Sequence, residues 1–378
     1  MQLSVVIVSF QAKYFLELCL YSVLKASQNI EIEIIVVDNC STDGTNDLVQ
    51  SKFKTVKLIK NTQNLGFAKA NNIGVSKACG DYVLILNPDT VLAEDTFIKC
   101  LEFANLHPDL GALGVKLIDG AGHFLPEGKR NLPTPLVSFY KMLGIKNKKY
   151  SYYAQQIPDD SVGEVAILVG AFMFLKRTNY LAVGGFDTDY FMYGEDIDFS
   201  YKLTKSGFKN YYLGTASVIH FKGESTKKNT RYLKHFFKAM PLFYGKHFKR
   251  NLAFEWFLKL GIYGWFVAKY LQLKFAKSSQ NCFKRAVYFG SEQSTLTLLK
   301  NKFNTMQINQ INNQNELADF DLMFVDLSMC PFKTMIQILE KYKSPQHKFR
   351  IILPNTQVVI GSDSPSDKGA VTLLNEGF

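Results

Sequence analysis

The chain has 378 residues, 47% of them hydrophobic, enough for one large core and a smaller second one, so two folded units are expected. A formal charge of +11 calls for an anionic partner, without separating nucleic acid, phospholipid or a phosphorylated small substrate. The six cysteines, at 19, 40, 79, 100, 282 and 330, form no CxxC pair, which fits a reducing compartment; MQLSVVIVSF lacks the basic start and cleavage site of a signal peptide, so export by that route is not expected.

Through the first half, β-branched runs alternate with helical patterns: the strand LSVVIVS, the helix YFLELCLYSVLKAS, EIIVVD, a polar helix start at STDGTNDLV, VKLIK, FAKANNIGVSKA, YVLILN, EDTFIKCLEFAN and GALGVKLI. This alternation predicts a mostly parallel α/β sheet covered by helices on both faces, with ligands bound beyond the carboxyl ends of the strands. Residues 119–160 break the rhythm and read as a long excursion able to fold over a site. Regular structure resumes at EVAILVGAFMFLKR, followed by GGFD, a strand over DYFMY, a helix opening at EDIDFSYKLTKSG, and the strands KNYYLG and ASVIHF. The first unit, 1–245, closes there.

Residues 246–283 form a linking segment whose stretch 252–276 carries Trp256, Trp265 and Tyr270 among Lys259, Lys269 and Lys274. With Glu255 these charges argue against a spanning helix, which needs about 20 apolar residues. An interfacial membrane helix whose lysines reach the headgroups, or a helix packed on protein, fits instead. From 284 to 378 a second, small α/β pattern appears, with no constellation of chemical groups; a regulatory, oligomerisation or plain structural role is open to it.

Five places offer chemistry. Asp38 ends the second strand in VVDNCSTD, where it could accept a hydrogen bond from a base or ribose; Ser41 or Asp43 reads as a helix cap. In NTQNLGFAKANN, Gly66 opens a helix whose N–H groups could face an anion. Pro88 stops the strand YVLILN and releases Asp89 at its carboxyl edge, as a ligand for Mg²⁺ or Mn²⁺ or as a helix cap. In YGEDIDFS the carboxylates Glu195, Asp196 and Asp198 cluster beside aromatic residues, where one can serve as a general base; His220 follows an apolar strand, as a ligand or a core histidine.

Taken together, VVIVSF, VVDNCSTD, NLGFAKANN, LNPDT, GGFD, GEDID and HFKGES, in this order over residues 1–245, resemble the family 2 glycosyltransferases of the GT-A fold, particularly their rhamnosyltransferase-like branch. The resemblance implies an inverting sugar transfer from a nucleoside diphosphate donor, dTDP-rhamnose or a UDP-sugar, to a hydroxyl of a polysaccharide or lipid-linked saccharide. It implies donor contacts from Ser9, Phe10, Asp38, Asn64, Gly66, Phe67, Asn72, Asn87 and Asp89. The D-x-D motif of the family stands here as Asn87-Pro88-Asp89, so Asp89 keeps the metal role, joined by His220, and one negative charge is missing. Asp196 inherits the catalytic base, with Glu195 assisting. A cytoplasmic enzyme, peripheral on the inner face of the membrane, is expected, with no nucleic-acid partner and with oligomerisation open to the C-terminal region. The rival reading is a catalytically silent nucleotide-sugar-binding or scaffold subunit, against which the joint retention of Asp89, Asp196 and His220 argues.

Overall fold

A computed structural model describes residues 1–145, 147, 150–222, 230–248, 261, 264, 283–313, 319–364 and 369–375. The stretch 252–276 therefore lies outside the described residues apart from Gly261 and Gly264, and no described helix is long and apolar enough to cross a membrane.

The run LSVVIVS is buried along its whole length because it sits mid-sheet with helices on both faces, as β1 (Leu3–Ser9). It pairs in parallel with β2 (Ile32–Asp38) on one side and β4 (Tyr82–Leu86) on the other, and β2 pairs in parallel with β3 (Lys57–Lys60). The helices α1 (Lys13–Ala26), α2 (Thr45–Lys52) and α3 (Phe67–Ser76) connect these strands. Beyond β4 the sheet continues through β8 (Phe172–Lys176), β6 (Leu110–Ile118), β9 (Lys209–His220) and β5 (Thr90–Leu92), with β7 (Val162–Val165) also on β9. This is the mostly parallel α/β sheet flanked by helices expected from the alternation of elements, with β8 antiparallel to β4 and β6, and β5 and β7 antiparallel to β9. Helices α4 (Thr96–Leu106), α5 (Pro135–Met142), α6 (Arg177–Ala182), α7 (Glu195–Lys205) and α8 (Thr230–His247) complete this body.

Three predicted elements come out differently. EVAILVGAFMFLKR divides into β7 and β8, and the irregular 166–171 between them reaches the candidate site. KNYYLG and ASVIHF form one strand, β9, whose register against β6 slips between Val115 and Lys116 and so absorbs the break that Gly214 marks. DYFMY is a turn: Tyr193 and Gly194 have φ of 70° and 86°, and the Phe191 carbonyl accepts from Phe67 at the start of α3 instead of joining a ladder.

A second sheet runs β11 (Gln307–Ile311), β10 (Arg285–Phe289), β12 (Leu322–Asp326), β13 (Lys348–Ile352), β14 (Val358–Gly361) and β15 (Ala370–Leu373), parallel as far as β13 and antiparallel after it. Helices α9 (Gln293–Lys302) and α10 (Phe332–Tyr342) accompany it. It packs on the first body: Phe15, Leu18, Val91, Ile219 and Phe221 share an apolar cluster with Phe332, Met335, Ile336 and Leu339. Gly122, at φ +84°, lies so close that an added Cβ would stand 2.1 Å from the Leu339 carbonyl oxygen. The N-terminus of α10 is closed by the other body, because the Glu94 carboxylate accepts from Phe332 N at 2.7 Å and Lys333 N at 2.8 Å. Glu94→Ala is expected to destabilise this junction by about 1 kcal/mol, the usual worth of a helix cap, and to lower the melting temperature seen by calorimetry.

Candidate active site

The carboxyl ends of β1, β2 and β4 open on one side of the sheet. Ser9 and Asp38 are register partners at the ends of β1 and β2. One Asp38 oxygen accepts from Ser41 N at 2.9 Å and Asn46 Nδ2 at 3.1 Å; the other, and the Ser9 hydroxyl, are buried without a hydrogen-bond partner. A buried polar atom left unpaired costs about 1–3 kcal/mol, which a ligand hydroxyl or base N–H would relieve. Asp43 caps instead, accepting from Lys13 N at 3.0 Å and Thr45 N at 3.1 Å, and so closes the starts of both α1 and α2. Phe10, half-buried, follows Ser9 out of the sheet.

The turn before α3 uses its donors internally. Gly66 N donates to Asn64 Oδ1 at 2.9 Å and Phe67 N donates to the Phe191 carbonyl at 2.8 Å, so neither N–H is left for an anion. Gly66 is required for close approach: at φ +81°, an added Cβ would lie 2.3 Å from Phe191 O. Asn72 likewise ties the 186 segment to α3, donating to Phe186 O at 2.8 Å and accepting from Phe186 N at 3.0 Å and the Tyr180 hydroxyl at 2.5 Å. Of the residues expected at the donor, Phe67 thus holds the DYFMY turn through its N–H, Asn72 holds the Phe186 segment, and Asn64 closes the turn at Gly66.

Pro88 ends β4, and the chain turns straight into β5, where Thr90 pairs with His220 at the end of β9. The cap alternative for Asp89 falls, since α4 begins only at Thr96. Asp89 is buried, its Oδ1 3.4 Å from His220 Nε2, and Asn87 Nδ2 lies 3.3 Å from the same nitrogen. Asp89 Oδ1 and His220 Nδ1 have no hydrogen-bond partner. Among the described residues no three His, Cys, Asp or Glu side chains gather as a metal cage. Two protein ligands completed by substrate phosphates are how Mg²⁺ and Mn²⁺ usually sit, and this carboxylate–imidazole pair fits that habit.

Asp196, in the first turn of α7, accepts at Oδ2 from Arg130 Nη2 at 2.6 Å and Gly170 N at 3.3 Å, and at Oδ1 from Ile197 N at 2.8 Å. A carboxylate offers about four lone-pair sites, so one remains for a substrate hydroxyl. Arg130, buried and also bonded to Leu168 O at 2.6 Å, escaped the reading of the sequence. It lies within the 119–160 excursion, 66 positions from its carboxylate, and nothing local in the sequence sets it apart from a surface charge. Asp198 belongs elsewhere: it pairs with His247 of α8 at 2.6 Å and Lys202 at 3.4 Å.

The two acidic places converge through one segment. Asn87 N donates to Ala171 O at 3.0 Å, and the neighbouring Gly170 N donates to Asp196. Glu127, from the excursion, pairs with Lys222 just beyond His220.

Glu195 is buried, with Oε2 unpaired; loss of solvation, then the adjacent Asp196 charge, push its carboxyl up to about 8. An unfolded chain releases that proton near 4.5, so between the two values the folded state holds more protons and stability falls as pH rises. Glu195→Gln removes this loss. Its melting temperature relative to the parent is expected to climb between pH 5 and pH 8, checked by thermal melts at both.

The model of the glycosyl transferase family 2 matches residues 4–174. An N-acetylglucosaminyl-diphospho-decaprenol L-rhamnosyltransferase of Mycobacterium tuberculosis is 29% identical over 241 residues, which cover 60% of this chain and 78% of that protein. The rhamnosyltransferase WbbL of Escherichia coli is 30% identical over 169 residues, covering 41% of this chain and 61% of that one. The mannosyltransferase PcManGT from Pyrobaculum calidifontis, solved in complex with GDP-Man and Mn²⁺, superposes with a TM-score of 0.45 at 19% identity, covering 73% of this chain and 76% of that one. The family model covers just under half of the chain, and together with the two rhamnosyltransferase relatives it supports a family 2 glycosyltransferase.

Proposed function

We propose that the protein moves a hexose, rhamnose from a dTDP donor first among the candidates and otherwise a sugar from UDP, to a hydroxyl of a lipid-linked saccharide, with inversion. The observation that supports this reading is that one short segment joins the two acidic places, Ala171 O accepting from Asn87 N beside the Asp89–His220 pair and Gly170 N donating to the Arg130-held Asp196. The names of the two rhamnosyltransferase relatives, one of which works on a diphospho-decaprenol saccharide, support the choice of sugar and acceptor.

In this reading Asp38 and Ser9 take the nucleoside, and Asn87 offers its amide beside them. Asp89 and His220 would hold Mg²⁺ or Mn²⁺, which when bound offsets the negative charge of the departing diphosphate. Asp196 accepts the proton of the acceptor hydroxyl as the hydroxyl oxygen bonds to the anomeric carbon and the bond from that carbon to the diphosphate oxygen breaks. One displacement inverts the centre. Glu195, neutral at pH 7, leaves Asp196 the single charge of the pair and donates a hydrogen bond to the acceptor. Arg130 keeps the Asp196 carboxylate aimed. Peripheral attachment to the cytoplasmic face of the membrane, a division into 1–245, 246–283 and 284–378, and an oligomerisation role for the last unit complete the proposal.

The test is transfer with dTDP-rhamnose and a panel of UDP-sugars, with Mn²⁺ or Mg²⁺, onto a lipid-diphosphate saccharide, with the product anomer read by NMR. Donor binding without turnover on any acceptor would return the silent-subunit reading. Asp38→Asn is expected to raise the donor KM by about 10-fold with kcat nearly unchanged, the mark of lost ground-state binding.

A further inference from the structure

The last turn of α5 sets a lysine against the part of the excursion that holds Arg130. The helix is capped by Thr134, whose hydroxyl accepts from Val137 N at 3.3 Å, and is tied to α8 by the 2.5 Å contact of Ser138 Oγ with the Tyr244 hydroxyl. Beside it, residues 129–131 and 152–154 run antiparallel, Asn131 N donating to Tyr152 O at 2.9 Å and Ala154 N to Lys129 O at 3.1 Å. Arg130 and Tyr152 are thereby neighbours, and the Lys141 ammonium stands over the Tyr152 ring, 3.0 Å from its centre and 5.0 Å from that of Tyr153. Asp196, Arg130, Tyr152 and Lys141 form a row that leads from a buried carboxylate to an exposed lysine.

The charges along this row do not balance. Arg130 has Asp196, and Lys222, just beyond His220, has Glu127, but no described carboxylate lies within ion-pair distance of Lys141. A ring face holds an ammonium through its quadrupole without cancelling the charge, and leaves N–H donors free for an acceptor. Loss of solvation, then the Arg130 charge, push the Lys141 ammonium down to about 7, with Glu127 pulling the other way and Lys222 adding to the fall. Since the residue as a whole is exposed, this crowding belongs to a cleft open to solvent and not to a filled core. A cation kept unpaired in such a cleft is relieved by an anion that makes charge-assisted hydrogen bonds to it. We propose that Lys141 binds the diphosphate of the lipid-linked acceptor. The assignment deepens the proposed function and rests on it: the donor diphosphate is there taken by the Asp89–His220 end, whereas Lys141 feels Arg130 more strongly than Lys222 and so stands on the Asp196 side. In a saccharide diphospho-lipid the diphosphate is set off by a sugar ring from the attacking hydroxyl, as Lys141 is set off by Arg130 and Tyr152 from the carboxylate that takes the proton.

The experiment is calorimetric titration of the full chain with geranyl diphosphate, and with geraniol as the uncharged control, each with and without saturating UDP or dTDP and Mn²⁺. It needs no turnover, so it succeeds or fails apart from sugar transfer. The parent is expected to bind geranyl diphosphate whether or not the nucleotide and Mn²⁺ are present, and to bind geraniol far more weakly. Lys141→Gln is expected to weaken diphosphate binding by about 10-fold or more with nucleotide affinity and melting temperature unchanged, and Lys141→Arg to stay within about threefold of the parent. A parent that binds geraniol as well as geranyl diphosphate, or neither, overturns the proposal. Displacement of geranyl diphosphate by the nucleotide with Mn²⁺ also overturns it, by giving the anion to the donor. So does a Lys141→Gln chain that binds the diphosphate as the parent does, or a Lys141→Arg chain that binds as weakly as Lys141→Gln, which would make shape and not charge the requirement.

Discussion

Asp196→Asn is expected to lower kcat by about 10²- to 10⁴-fold, the usual worth of a positioned general base, while nucleotide affinity stays within about twofold of the parent. The side chain keeps its shape and its Ile197 contact but can no longer take the acceptor proton. The substitution has a structural cost as well, because Arg130 is buried and loses its counter-charge. Removing one partner of such a pair typically costs about 3–5 kcal/mol, so a drop in melting temperature should accompany the lost rate. The double change Asp196→Asn/Arg130→Met separates the two effects: it is expected to recover much of the stability and none of the rate. Glu195 adds a pH signature, since its carboxyl ionises near pH 8 and then loses the proton it donates. Parent turnover is expected to decline above that pH, and Glu195→Gln to lack the decline. Retention of more than a tenth of parental kcat by Asp196→Asn would remove it from the base role.

Much of the first body was legible because its signals are local. β1, β2 and β4 are short β-branched runs whose ends are written in the chain, by Pro88 in one case, so Asp38 and Asp89 could be placed at the carboxyl edge without coordinates. The parts that misled depend on distant partners. DYFMY has the composition of a strand, yet its Phe191 carbonyl is claimed by Phe67, more than a hundred positions earlier, and the segment turns. Asn72 has the residue type of a ligand contact, but Tyr180 and Phe186 fill its amide. Arg130 could not be singled out, since whether a basic residue is a solvated surface charge or a buried counter-ion is decided by what the fold lays over it.

Asp89→Asn is expected to abolish the dependence of nucleotide binding on Mn²⁺ while leaving the fold intact, because the change preserves volume at a buried position whose Oδ1 has no hydrogen bond to lose. The argument rests on how little charge the site has. A D-x-D sequence would offer two carboxylates; here Asn87 supplies only an amide, so Asp89 is the single anion beside His220. Its loss leaves an imidazole and two amides, with no carboxylate, a poor set for a hard cation. In calorimetric titrations of UDP or dTDP with Mn²⁺, the variant should bind about 10- to 100-fold more weakly than the parent, and EDTA should weaken the parent while leaving the variant as it is. Mn²⁺ binding followed by electron paramagnetic resonance reads the same contrast without any turnover. The reverse substitution sharpens the argument: Asn87→Asp restores the missing carboxylate and is expected to tighten Mn²⁺ binding. If both variants move Mn²⁺ affinity in the same direction, charge at this turn does not govern the cation, and Asp89 must serve the donor through direct hydrogen bonds instead.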